Sequence, residues 1–236
     1  MDAGTVDPNK ASVGTKNGFS IIELTTPSSG TTYSFAHGLG AKPSFLIANQ
    51  YEVASHWYCW HQSFINNNSY ILFNYSNAVN NGGTAWASTD MTSTLIYDQA
   101  SGHWGNSQKM IYYAWTDIPG LQKFGSYQGF DNVDGPFIEL GFRPAIVIFK
   151  NITDNSTEWI ILDDKRNGFN GTGGNQLLFP STDDSENATQ YGDIVSNGFK
   201  IRINSGYVNA SGDEYIYAAW AQNPMNNLYG AQSNAR

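Results

Sequence analysis

Along this chain apolar and polar residues trade places at every other position over short runs, and no stretch longer than about two turns carries a helical period. A period of two sends successive side chains to opposite faces of an extended strand, so each run reads as a half-buried β-strand. The pattern predicts strands at 18–26, 31–36, 44–48, 56–62, 70–75, 92–98 and 109–116, and again at 123–128, 136–140, 145–151, 158–163, 176–179, 198–203 and 214–221. Phe45-Leu46-Ile47 and Ile146-Val147-Ile148-Phe149 replace the alternation with consecutive apolar residues, which predicts a strand covered on both faces at the centre of its sheet. Asn17-Gly18, Asn81-Gly82, Asn167-Gly168 and Asn197-Gly198 supply positive-φ residues for the turns between runs.

The two sets of strands follow one order. Leu39-Gly40-Ala41-Lys42-Pro43 opens a run that passes Trp57 and closes on Tyr112-Tyr113-Ala114-Trp115. Leu140-Gly141-Phe142-Arg143-Pro144 opens a second that passes Trp159 and closes on Tyr217-Ala218-Ala219-Trp220. Glycine, a cation, proline, an apolar strand, a tryptophan and a terminal aromatic strand recurring in sequence mark a tandem duplication. The expected fold is all-β: two tandem antiparallel β-sandwich (jelly-roll-like) repeats packed together, at 18–120 and 121–224. An extended arm or linker at 1–17 precedes them and a tail at 225–236 follows. Ile118-Pro119-Gly120 is the junction.

Composition narrows the function. The net charge is −8, the isoelectric point is near 4.8, and the cations form no run, which argues against nucleic-acid binding through a basic surface. A single cysteine, Cys59, leaves no internal disulfide and no thiolate metal site. No segment approaches the ~18 consecutive apolar residues of a membrane helix, so no membrane insertion is expected. The opening residues lack a signal-peptide pattern and read like the interior of a longer protein.

Candidate chemistry is sparse. His56 and His61 flank Trp57-Tyr58-Cys59-Trp60 at an odd spacing, which sends their rings to opposite faces of a strand. Asp163-Asp164 and Asp183-Asp184-Ser185-Glu186 are the densest carboxylates; they read as solvated loop charges, with a peripheral Ca²⁺ the one ion they could hold. Gly171-Thr172-Gly173-Gly174 runs into a predicted strand rather than the helix a phosphate loop needs. No Gly-x-Ser-x-Gly elbow occurs, so no catalytic residue, cofactor or metal ligand is assigned and the chain is expected not to be an enzyme. Asn-x-Ser/Thr triplets, Asn187 among them, are attributed to composition.

Aromatic residues divide by their place in the repeat. Trp57 with Trp159, and Trp115 with Trp220, occur in both copies, so each pair is expected to fill one shared core position. Trp104 aligns with Val208 and is therefore expected to be dispensable for the fold, leaving its face for a sugar ring or a protein surface. His103, Trp86 and Tyr207 are further ligand-binding candidates on the ground of loop placement.

Phe124-Gly125-Ser126-Tyr127-Gln128-Gly129, Asp134-Gly135-Pro136-Phe137, Gly141-Phe142-Arg143-Pro144, Ser196-Asn197-Gly198-Phe199-Lys200 and Asn209-Ala210-Ser211-Gly212 resemble a duplicated β-sandwich domain of unknown function found in bacteriophage tail and receptor-binding proteins. Phe35-Ala36-His37-Gly38-Leu39-Gly40 is similar to the matching entry motif of the first copy. The resemblance spans roughly 18–224 and carries no catalytic residues with it. It implies a virion protein of the tail or another external appendage. On that expectation the chain is a tail-fibre or receptor-binding module, an adhesin for host attachment that recognises host surface glycan or an outer-membrane protein. Other virion proteins are expected as partners, with a homotrimer by analogy with tail fibres. The alternative is a structural decoration or joining protein without host contact.

Overall fold

Strict alternation along Lys109–Trp115 puts Met110, Tyr112 and Ala114 on one face, where all three are buried, and Ile111, Tyr113 and Trp115 on the other, where they are half-buried. Phe19–Thr25 follows the same rule, burying Ser20, Ile22 and Leu24. Such strands form one wall of a core; these two pair through their backbones and through the stacked rings of Phe19 and Trp115, with centroids 4.8 Å apart. The computed structural model describes residues 4–29, 32–166 and 177–223. It divides into two units, the first being Met1–Phe73 with Val79–Asp117 and the second Asn74–Ala78 with Ile118–Arg236.

The first unit contains β1 (Lys10–Gly14), β2 (Phe19–Thr25), β3 (Thr32–Ala36), β4 (Phe45–Gln50), β5 (Tyr58–His61), β6 (Ile71–Leu72), β7 (Leu95–Gln99) and β8 (Lys109–Trp115). Six of these form an antiparallel sheet in the order β1-β2-β8-β4-β5-β6, and β3 pairs with β7. One hydrophobic cluster joins the two sheets: Ile22, Leu24, Leu46, Trp60, Met110 and Tyr112 come from the larger, and Tyr33, Phe35 and Ile96 from the smaller.

The second unit contains β9 (Gln122–Gln128), β10 (Phe137–Glu139), β11 (Pro144–Asn151), β12 (Ile160–Asp163), β13 (Gly192–Val195), β14 (Gly198–Ile201) and β15 (Glu214–Ala221). Its antiparallel sheets run β12-β11-β15-β9 and β10-β14-β13. A separate cluster lies between them, with Val147, Phe149, Leu162 and Tyr217 from one sheet and Ile138, Ile194, Phe199 and Ile201 from the other. Each unit is thus sandwich-like with its own interior, and the whole is all-β with several antiparallel sheets.

Strand order is the same in both. In β2-β8-β4-β5 and in β9-β15-β11-β12 the last strand of the unit lies between the early strand and the strand after the proline. Register agrees as well: Trp115 stands opposite Phe45, and Trp220 opposite Ile146. Gly40 and Gly141, three residues before the two prolines, have φ of +77° and +81°, a left-handed conformation that side chains with a Cβ resist. That requirement is the physical content of the repeated glycine.

Several expectations change. Most of the segment expected as an arm is built into the first unit: β1 pairs residue for residue with β2, and the amides of Thr5 and Val6 donate to the Ser34 carbonyl. An edge strand needs only its backbone, and the side chains of 10–13 stay exposed, so apolar patterning had nothing to detect. Of the expected strand at 176–179, residues 177–179 are described, and Leu177 and Leu178 make only isolated bridges, to Asn187 and Ile161. The strand β13 was not anticipated. Trp159 is buried at 1% exposure, but its counterpart Trp57 is 38% exposed, and Trp115 and Trp220 are half-buried, so the shared tryptophans keep equivalent registers without each pair filling one core position. Asn167-Gly168, the glycine-rich 171–174 and the tail at 225–236 lie outside the described residues.

Candidate functional site

The four aromatic candidates part company. Trp104 closes a π-turn, Ala100–Trp104, whose defining bond runs from the Gly105 amide to the Ala100 carbonyl at 2.8 Å. It is 3% exposed and its indole Nε1 donates to Asp98 Oδ1 at 3.1 Å. Trp86 is fully buried, packed against Trp104 and Tyr112. Neither offers a face to a ligand, and both expectations are corrected. Val208, the partner of Trp104 in the repeat, is itself fully buried, so the aligned position is interior in both units and only its size differs. The larger side chain carries a polar N–H, and burial obliges that group to find an acceptor.

The acceptor is Asp98, a fully buried carboxyl that takes hydrogen bonds from Tyr33, Tyr112, the Trp104 indole and the Gln99 amide. Burial pushes its pKa up to about 6. His37, also buried, accepts the Leu39 amide on Nδ1 at 3.2 Å, which makes Nε2 the donor to the Thr92 carbonyl and fixes the neutral tautomer. These are internal polar networks of the first unit.

His103 and Tyr207, which align with one another just before Trp104 and Val208, do reach the surface. His103 is exposed, with its ring centroid 4.8 Å from that of Tyr58 and 5.0 Å from that of Tyr70. Tyr207 is half-buried, 6.4 Å from Phe179 and 6.1 Å from Tyr191. The same rim position of each unit thus carries a surface ring flanked by two others.

Around Tyr207 the rim opens into a cleft of about 200 Å³ lined by Glu158, Phe179, Asp184, Asn187, Tyr191 and Tyr207. Strand ends and the loops pinned beside them bring these together. Glu158 lies two residues before β12, Tyr191 immediately before β13, and Tyr207 in the turn after β14. That turn is closed by the Val208 amide on the Ser205 carbonyl at 3.0 Å and by the Tyr207 amide on Ser205 Oγ at 3.3 Å. Leu177 and Asn187 exchange backbone hydrogen bonds of 2.8 and 3.0 Å, pinning both ends of the loop that carries Phe179 and Asp184. Ser181 Oγ donates to Glu158 Oε2 and accepts the Trp159 amide, and Thr182 Oγ1 donates to Asp184 Oδ2 at 3.0 Å. Each carboxylate therefore has one oxygen held by the loop. The rings of Tyr191 and Tyr207 meet at 88°, so they form two walls rather than one platform. Burial raises the Tyr191 pKa, keeping it a neutral phenol.

Of the lining residues, sequence reasoning singled out Tyr207 for binding. Asp184 was noted only within an acidic loop and Asn187 only within a glycosylation triplet, while Phe179, Tyr191 and Glu158 were missed. They are spread over 158–207, and no local spacing links residues that converge through sheet pairing. The acidic loops are largely engaged elsewhere: Asp163 accepts the Lys165 and Arg166 amides, Arg166 bridges Asp163 and Glu186, and Asp164 takes Lys165 Nζ at 3.0 Å. Among the described residues no group of three or more His, Cys, Asp or Glu side chains converges in a way that could hold a metal ion.

A family model described as a domain of unknown function (DUF7483) matches residues 3–224. The chain belongs to that family. The DUF7483 match runs through both units and includes every residue of the cleft. No curated protein and no solved structure matches the chain.

Proposed function

We propose that this chain is a non-enzymatic recognition module of a bacteriophage tail fibre, built from tandem jelly-roll-like β-sandwich repeats, that binds host cell-surface glycan through the Tyr207 cleft. The cleft is the observation that carries the reading. Aromatic walls cover the apolar faces of a pyranose, while Glu158, Asp184 and Asn187 face its hydroxyls, the mixture of apolar lining and few polar groups expected of a small-ligand site. The shared strand order and the paired Gly40 and Gly141 support the duplication, and the motif resemblance supports the virion setting. A homotrimer multiplies weak single-site affinity into avidity. Host protein is the other class of receptor in this reading.

Its test is glycan-array binding by the full chain at physiological salt, beside Tyr207→Ala. Binding that falls at least about tenfold in the variant, with its thermal unfolding unchanged, is the expected outcome. A chain that binds host surface and keeps that binding after Tyr207→Ala contradicts the assignment of the cleft.

One observation favours the second reading, a structural virion protein. Phe130 and Val133, on the β9–β10 connection, are 50% and 63% exposed, and Phe137, the first residue of β10, is 47% exposed; Asn209 holds the connection through the Phe130 amide and the Asn132 carbonyl. Exposed apolar side chains on a fixed loop suit contact with another protein. Saturating antibody against the chain separates the two: adsorption blocked favours host recognition, and adsorption unchanged favours the structural role.

A further inference from the structure

The charge of the Tyr207 cleft says more than that it suits a sugar. No lysine, arginine or histidine is among its six lining residues, whereas Glu158 and Asp184 both are. Asp183 lies beside Asp184 on the exposed loop. Lys150 is near enough to act electrostatically on Glu158, yet its ammonium is buried and bonded to the Ser76 carbonyl at 3.2 Å, the Asn151 carbonyl at 2.8 Å and Thr157 Oγ1 at 3.2 Å. It offsets one negative charge at most. Glu158 Oε1 and Asp184 Oδ1 hold no hydrogen bond among the described residues, leaving acceptor capacity at the cleft.

Aromatic geometry points the same way. Ring faces carry negative potential, and three rings line this cleft in different orientations, Tyr191 at 88° and Phe179 at 53° to Tyr207, with centroids 6.1 and 6.4 Å from its own. Carboxylates beside an aromatic corner are the surroundings an organic ammonium prefers, because its charge is met by both and its weakly hydrated carbons by the rings. An anionic sugar meets repulsion at the same place.

We propose that the cleft selects an organic ammonium group, which on the glycan reading above is a sugar bearing an unacylated amine, and rejects acidic sugars. Glu158 and Asp184 supply the charge, and Tyr191, Tyr207 and Phe179 the cage. The preference weakens with salt because Asp184 is exposed.

Amide chemical-shift titration of the full chain with glucosamine, N-acetylglucosamine, glucose, glucuronate and tetramethylammonium tests this directly. Glucosamine is expected to bind at least about tenfold more tightly than glucose or N-acetylglucosamine, with glucuronate weakest, and shifts centred on Tyr191 and Tyr207. Asp184→Asn, at an exposed position that leaves the fold intact, and Glu158→Gln are each expected to reduce that preference several-fold. Glucose and glucosamine bound equally, both lost in Tyr207→Ala, overturns the ammonium inference while the glycan reading stands. Tetramethylammonium bound with no sugar bound supports the inference and contradicts the glycan reading. Glucuronate bound most tightly, perturbations confined to other surfaces, or no probe bound at all overturns the inference.

Discussion

At the scale of single residues, Asp98 shows how a buried polar group is made tolerable and what it does to stability. Its Oδ2 and the hydroxyls of Tyr33 and Tyr112 lie within hydrogen-bond reach of one another, with Tyr33 at 3.0 Å from Oδ2 and 2.7 Å from the Tyr112 oxygen. An ionised carboxylate leaves two protons for three contacts; a protonated one supplies the third and closes the ring. Burial favours the acid form and outweighs the hydrogen bonds from Tyr112, Gln99, Trp104 and Tyr33, which favour the carboxylate, so the pKa is pushed up to about 6. The folded value lies above the unfolded one near 4, so the folded state holds the proton more firmly through that window. This group's contribution is full below pH ~4, falls as pH rises towards 6, and above that leaves the fold about 3 kcal/mol less stable than at pH 4. Denaturant unfolding of the wild type and Asp98→Asn between pH 4 and 7.5 should show that slope in the first and not in the second. Equal slopes would remove Asp98 as the cause. Trp104→Ala should cost about 3–5 kcal/mol in the same assay. Lost binding in that variant would therefore report unfolding rather than a missing contact.

At the scale of elements, alternation located most strands, and each failure has a mechanical origin. Lys10–Gly14 is held by backbone bonds with exposed side chains, so it left no apolar trace. Gly192–Val195 buries Gly192, Asp193 and Ile194, of which only Ile194 looks like core. Two glycines read alike in sequence yet serve different ends. A Cβ at Gly198 would lie 2.0 Å from the Ile138 carbonyl oxygen, so this glycine permits β10 to approach β14, and its φ is not positive. Gly141 has open space around its Cβ direction and is needed for its φ of +81°. Gly198→Ala should cost about 3 kcal/mol and collapse amide-exchange protection along Phe137–Glu139, leaving Phe19–Thr25 protected. Gly141→Ala should cost only about 1–2 kcal/mol. Equal costs would show that the two positions were misread.

At the scale of the whole molecule, the framework was more legible than the site. Order and register of the strands recur because pairing and packing constrain them, and the sequence repeats the residues that do so, Gly40 with Gly141 and Trp115 with Trp220. Comparing the copies to find binding residues was less reliable, because a mismatch such as Trp104 against Val208 can mean a larger filler of the same interior. His103 and Tyr207, also unlike one another, are where both rims expose a ring. The second unit also includes Asn74–Ala78 from within the first stretch of chain, whose Ser76 carbonyl receives Lys150, a long-range feature with no local signal. The central claim is that recognition takes place at the Tyr207 cleft. Mapping amide shifts of the full chain with a glycan selected on the array tests it most directly. The account predicts perturbations at Glu158, Asn187, Tyr191 and Tyr207 that vanish in Tyr207→Ala; a bound glycan whose shifts fall wholly outside the cleft would contradict it.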